Sequence, residues 1–126
     1  MALKGVVLDS GHGGNDQGSS GNGIIEKELT LKISQYMYDR FKALGVPVKM
    51  TRTSDVDLEP NDRPGVVLDK FGNGKDVVVI SNHINAGGGE FTYHYIIWLG
   101  IKTAVFELVI FMIKYTKIVI LCVIMV

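Results

Sequence analysis

The 126-residue chain has one cysteine, Cys122, and three prolines, and its 13 basic and 13 acidic side chains cancel. A single thiol excludes an internal disulfide framework and a cysteine-rich zinc site. Zero formal charge removes the general electrostatic reason to expect nucleic acid or another polyanion as a partner. No basic segment with an apolar run and cleavage site precedes the first strand-like stretch, so no secretory signal is visible and cytoplasmic synthesis is expected. The scarcities are unevenly placed. Residues 91–126 contain no Asp, Asn or Pro, one glycine (Gly100) and four charged side chains, Lys102, Glu107, Lys114 and Lys117. Residues 1–90 carry 10 basic and 12 acidic side chains, so the neutral total sums an acidic front and a basic, mostly apolar tail. The length suits one domain, yet composition divides the chain into residues 1–90 and 91–126.

What the first part contains is an alternation of strand and helix patterns. Leu3 to Asp9 is a short apolar run closed by Ser10-Gly11-His12-Gly13-Gly14, which reads as a buried strand entering a loop. The glycine-rich stretch that follows, GHGGNDQGSSGNG, is too flexible for regular structure to be expected. From Glu26 the period changes: Leu29, Ile33, Tyr36, Met37, Arg40, Phe41 and Leu44 share one helical face, with Arg40 its only polar member, while Lys32, Gln35 and Asp39 point elsewhere. Gly45 closes this helix and Pro47 lies just beyond. Val46 to Thr53 reads as a second strand, Asp55 to Asn61 as a polar loop, and Arg63 to Phe71 as a weaker helix ended by Gly72-Asn73-Gly74. Asp76 to Ser81, DVVVIS, is a β-branched run suited to a strand covered on both faces. Strand, helix, strand, helix, strand predicts an α/β fold with a mostly parallel sheet and flanking helices.

Three potential metal ligands occupy related places. His12 follows the first strand, His83 follows the third, and Glu26 opens the first helix. Open α/β sheets bind ligands at the carboxyl ends of their strands, so the three side chains can converge on one edge. Two imidazoles and a carboxylate, with a fourth position for water, form a familiar catalytic zinc set. Each residue also has a plainer reading. His12 can hydrogen-bond loop backbone, Glu26 can stabilise the helix N-terminus, and His83 can be a satisfied strand-end histidine. Taken singly, these readings prevail. Asn82 and Asn85 can serve only to shape a turn, and His94 carries little weight.

The glycine-rich loop fails the specific nucleotide signatures. Counting from Gly11, the last glycine of G-x-G-x-x-G is replaced by Asp16, and no Gly-Lys followed by Ser or Thr is present. No G-x-S-x-G elbow or catalytic-cysteine motif is present either. A phosphate cradle of backbone amides stays open as a weaker alternative.

The stretches VVLDSGHGGNDQGSSGNGIIEKELTLKIS, VPVKMTRTSD and DVVVISNHINAGGGE, in that order, resemble the zinc-dependent N-acetylmuramoyl-L-alanine amidases of bacteria and their phages. The resemblance covers nearly everything from Val6 to Glu90. It implies that His12, Glu26 and His83 hold zinc, and that the substrate is peptidoglycan, cleaved at the amide between the lactyl group of N-acetylmuramic acid and L-alanine. Arg63 resembles an arginine that the family carries before its third strand, although the local context DRPGVV is less typical. The family also draws a second, proton-transferring glutamate from a late strand. The resemblance stops before that residue, so the role is not carried over to Glu90 or Glu107, and the catalytic group is left unassigned. Phage lysins and mother-cell sporulation amidases resemble this arrangement, reaching the wall by lysis or release rather than by the usual export route. No separate wall-binding module is recognisable.

Three readings compete for residues 91–126. Ile96 to Ile113 spans 18 residues, just enough for a bilayer, but Lys102 and Glu107 inside it cost about 2.5–3.5 kcal/mol each at a helix centre. Ile118 to Val126 is too short to span. A second reading completes the sheet with buried elements, although turn residues to separate them are almost lacking. The third, preferred because Ile, Lys, Phe, Tyr and Met are what A/T-rich codons supply, is an out-of-frame ending near Glu90. On it the amidase-like fold is incomplete, the third strand exposes an edge or a face normally covered, and poor solubility and little activity are expected. The alternative function is a non-catalytic zinc- or wall-binding fragment whose tail meets a membrane or partner.

Overall fold

The computed structural model describes residues 3–21, 23–86 and 118–125. In chain order its elements are β1 (Gly5–Ser10), β2 (Ser20–Gly21), β3 (Ile24–Ile25), α1 (Glu26–Ala43), β4 (Val48–Met50), α2 (Arg63–Phe71), β5 (Val77–Ala86) and β6 (Ile118–Met125). Among the described residues a four-stranded sheet runs β4-β1-β5-β6. β1 lies parallel to β4, with Val6 opposite Val48, and parallel to β5 from Gly5 opposite Val77 to Ser10 opposite Asn82. The expected mostly parallel sheet with flanking helices is the fold observed.

All six residues of β1 are buried, as a central strand covered on both faces requires. Its alternation sorts two cores. Val6 and Leu8 pack with Val48, Met50 and Ile80 under Leu31, Met37, Tyr38 and Phe41 of α1. Val7 packs on the opposite face with Val77 and Val79 under Val67 and Phe71 of α2. Burying a valine or leucine side chain contributes about 1.5–3 kcal/mol, so this central strand anchors both helices.

α1 ends as the sequence predicts. Gly45 has φ 72° and donates to the Lys42 carbonyl, while Val46 donates to that of Phe41, the paired bonds of a Schellman turn that only a left-handed residue completes well. Its inward stripe differs from the expected apolar face. The fully buried residues are Glu26, Thr30 and Ser34, continued by half-buried Met37 and Phe41, whereas Tyr36 and Leu44 are 69% and 70% exposed. The helix is rotated relative to the apolar count because its first two turns face polar loop and strand ends rather than an apolar core.

Three further expectations need correction. The glycine-rich stretch contains regular pairing among its described residues: β2 and β3 form a short antiparallel pair, and Gly13 and Asp16 bridge each other. The second strand is only Val48–Met50, because pairing with β1 ends there and Arg52 turns inward, 3% exposed. The third strand does not stop at Ser81 but runs through Ala86, so His83 lies inside it. The cause is β6, which pairs antiparallel with β5 from Val79–Met125 to Ala86–Ile118 and holds it beyond the end of β1. The edge expected to be open on β5 is therefore paired. The stretch weighed as a membrane anchor, with His94, Glu90 and Glu107, lies outside the described residues. No helix among the described residues is long and apolar enough to cross a membrane.

Candidate metal centre

Three elements deliver one side chain each to the carboxyl end of β1. The strand ends at Ser10, and two residues later His12 takes a left-handed φ of 59°, a conformation disfavoured for a residue with a side chain. Glu26 is the first residue of α1, whose free amides are taken by the loop before it: Glu26 donates to the Ser19 carbonyl and Lys27 to that of Gln17. His83 comes from the part of β5 that outruns β1.

Their donor atoms all lie within 4.8 Å of one another. Glu26 Oε1 is 3.1 Å from His12 Nε2 and 3.3 Å from His83 Nδ1. The two imidazoles meet edge to face at 5.0 Å between centroids. Glu26 is 3% exposed, and backbone amides fix it: Ile84 N–H donates to Oε1 and Ser19 N–H to Oε2, both at 2.8 Å. Burial by itself pushes the Glu26 carboxyl up, but hydrogen bonds from His12, His83, Ile84 and Ser19 outweigh it and hold the group well below the usual carboxylate range. The bond with Glu26 draws the His12 imidazole upward, opposed by burial and reinforced by Asp16.

The backbone around His12 is held by two arginines. Arg52 Nε and Nη2 donate to the carbonyls of Ser10 at 3.2 Å and Gly11 at 3.0 Å, and Nη2 also reaches Lys27 O at 2.7 Å. Burial, with Arg63 nearby, pushes the Arg52 guanidinium down. Arg63 donates to Asp9 Oδ1 at 2.8 Å, Ser10 O at 2.9 Å and His12 O at 2.9 Å. Asp9 also accepts from Thr51 and Ser81, and Thr30 Oγ1 donates to Gly11 O. Further out, Asp55 accepts from Gly14 N–H and Lys27, and Asp57 accepts from Asn15.

His12, Glu26 and His83 are therefore brought together, and Arg63 stands behind them. Asn82 is not a turn residue: it is buried in β5 and donates to Ser34 Oγ at 2.9 Å. Arg52, Asp9, Asp16 and Thr30 were given no role by sequence reasoning. The bonds of Asp9 to Thr51, Arg63 and Ser81 and of Arg52 to Ser10 and Gly11 span 41 to 72 residues, and pairing at that distance leaves no local periodicity.

The donor set fits a zinc ion. Ligand atoms about 2.0–2.1 Å from a tetrahedral zinc lie about 3.4 Å apart, close to the separations around Glu26. The space is also kept free of side chains. A Cβ on Gly11 would come within 2.6 Å of His83 Cε1, and one on Gly18 within 2.6 Å of His12 Cδ2 and 2.8 Å of Glu26 Oε2.

Comparison with known proteins gives the site its context. The family model described as N-acetylmuramoyl-L-alanine amidase matches residues 6–104, running past Glu90 where the sequence resemblance ended. An endolysin of Bacillus phage SPP1 is 42% identical over 98 residues, covering 72% of this chain and 34% of its own length. The germination-specific N-acetylmuramoyl-L-alanine amidase of Bacillus subtilis is 37% identical over 81 residues, covering 64% of this chain and 34% of its own. The chain thus spans about a third of these curated relatives. Among solved structures, the catalytic domain of CwlV, an N-acetylmuramoyl-L-alanine amidase from Bacillus (Paenibacillus) polymyxa var. colistinus, superposes with a TM-score of 0.59 at 30% identity, covering 69% of this chain and 48% of that one. The amidase AmiC2 of Nostoc punctiforme superposes at 0.55 with 29% identity, over 66% and 45% of the two chains. With most of its length matched by the family model, the chain belongs to the N-acetylmuramoyl-L-alanine amidase family.

Proposed function

We propose that this chain carries the zinc site of a peptidoglycan amidase, with His12, Glu26 and His83 as the ligands. The observation that carries the reading is the convergence of their three donor atoms within 4.8 Å on the strand ends of an amidase-family sheet. Bound there, zinc supplies a nucleophilic water near neutral pH and polarises a carbonyl. The target bond is the amide joining the lactyl group of N-acetylmuramic acid to L-alanine, and the site of action is the cell wall.

The protein's own residues prepare the site. Glu26 brings a negative charge already fixed by two backbone amides, so little reorganisation accompanies ligation. Arg52 and Arg63 hold the carbonyls of Ser10, Gly11 and His12, which places the His12 ring in advance. Proton transfer to the leaving amine needs a further acid. Glu107 is the sole acid in residues 91–126 and lacks the family's motif context, so no residue is assigned that step. General acid–base help contributes about 10²–10⁴-fold to such a step.

The test is release of new L-alanine N-termini from purified peptidoglycan. Slow release that stops with a chelator and returns with zinc supports the amidase reading. Zinc-independent release, or cleavage at another bond, overturns it. Zinc and wall binding without any release supports the second reading, a non-catalytic zinc- or wall-binding fragment, which the lack of a motif around Glu107 favours.

A further inference from the structure

We infer that Asp16 is a positioning residue for the metal centre: its carboxylate fixes the proton of His12 on Nδ1 and so presents Nε2 as the ligand nitrogen. The inference rests on the zinc-site reading above and assigns a role outside the three ligands.

The geometry divides the two nitrogens of His12 cleanly. Nε2 faces Glu26 Oε1 at 3.1 Å, while Nδ1 meets Asp16 Oδ2 at 2.8 Å. An ionised carboxylate has no hydrogen to give, so the Nδ1 side of that contact must be the donor. A neutral imidazole with its proton on Nδ1 carries its lone pair on Nε2, the nitrogen turned toward the other two ligands. Two carboxylates compete for that proton: Glu26 Oε1, 3.1 Å from Nε2, would draw it onto the ligand nitrogen, and the shorter Asp16 contact of 2.8 Å opposes this. Histidine ligands ordinarily donate their second N–H to a carboxylate, carbonyl or water, and losing that partner costs about 10–100-fold in metal affinity.

Asp16 is itself anchored. Its backbone exchanges hydrogen bonds with Gly13, at 3.0 and 3.1 Å, and its other carboxylate oxygen accepts from Gly18 N–H at 3.1 Å. Gly18 is the residue whose missing side chain leaves room for the His12 ring and the Glu26 carboxylate. One carboxylate therefore orients the ring and ties down the glycine against which the ring lies. The Asp16 side chain is 59% exposed and belongs to neither core cluster, so replacing it leaves the packed sheet intact.

Asn discriminates between roles. In Asp16→Asn, an amide oxygen kept on Gly18 turns the NH₂ group toward Nδ1, which favours the opposite tautomer at nearly constant shape. Asp16→Ala removes both bonds. The experiment uses the full chain, with zinc affinity measured by chelator competition and the His12 ring nitrogens read by ¹⁵N NMR on the metal-free protein at alkaline pH. The wild type is expected to show the proton on Nδ1. Both variants are expected to move it toward Nε2 and to bind zinc about 10–100-fold more weakly, with circular dichroism unchanged. Wild-type affinity and tautomer in both variants overturn the inference while leaving the zinc site standing. A wild-type chain that binds no zinc overturns the proposed function and this inference with it. If Asp16→Ala misfolds, Asp16→Asn alone decides.

Discussion

Arg63 Nη2 donates to the carbonyl oxygen of His12 at 2.9 Å across 51 residues of chain, pinning the backbone of a ligand residue that sits at φ 59°. The same guanidinium pairs with Asp9 at 2.8 Å, where the two side chains are 15% and 9% exposed. A strained loop and a largely buried ion pair thus share one arginine, and stability and site geometry are coupled through it. Arg63→Ala leaves Asp9 without its charge partner and should cost about 2–3 kcal/mol in urea unfolding. Arg63→Lys keeps the charge but lacks the fork that reaches two carbonyls. Its loss in zinc affinity is expected to exceed its loss in stability.

Gly18→Ala tests the cramped face of the site. The position has φ 64°, and the added carbon would press on the His12 ring and the Glu26 carboxylate. A cost of about 1–3 kcal/mol is expected from the backbone alone, together with weaker zinc binding. Gly21→Ala is the matched control: nothing lies within 4 Å of the added carbon, and a change within about 0.5 kcal/mol is expected. Equal behaviour of the two variants would refute the packing argument.

Glu26→Gln keeps the shape of the side chain and the acceptor for one backbone amide, but removes the ligand charge. Zinc affinity should fall by more than about 100-fold, beyond the range of an outer partner, as read by isothermal titration. An affinity within tenfold of wild type would exclude Glu26 as a ligand.

Asp55 supplies a pH prediction. Lys27, then the amide of Gly14, hold its carboxyl below the ordinary value of 3.8. Because the folded value lies below the unfolded one, the contribution of Asp55 is fully present above about pH 3.8 and is lost as pH falls through the lower folded value. Protonation releases Gly14 N–H, so its hydrogen exchange, corrected for the intrinsic pH dependence, should lose protection on acidification. Asp55→Asn should abolish that dependence. An unchanged acid response in the variant would place the sensitive group elsewhere.

The helix over Arg63–Phe71 and the Gly45 terminus of α1 were legible because capping and periodicity act within a few residues. The inward stripe of α1 was not. Counting apolar side chains places Leu29, Ile33 and Tyr36 on the core face, whereas Glu26, Thr30 and Ser34 are the buried residues. Their partners explain the difference: Thr30 answers the Gly11 carbonyl, Ser34 accepts from Asn82, and Glu26 meets two histidines and two amides. Polar burial is decided by partners distant in sequence, and no helical period records it.

His83 shows the same limit in a strand. The run DVVVIS predicts a strand ending before it, but β6 carries β5 through Ala86.

By itself the sequence determined the alternation of strands and helices, the burial of β1, the two-sided covering of the apolar run in β5 and the identity of the three ligand candidates, because residue type and position at the ends of local patterns carry that information. Tertiary structure alone decided that their donor atoms lie within 4.8 Å, that Arg52 and Arg63 hold the carbonyls before His12, and that Asp16 faces His12 Nδ1 while Glu26 faces Nε2. Sheet register and loop closure set these relations. Apart from the His12–Asp16 contact, four residues apart in one loop, they form between segments distant in sequence, where no local pattern constrains which polar groups meet.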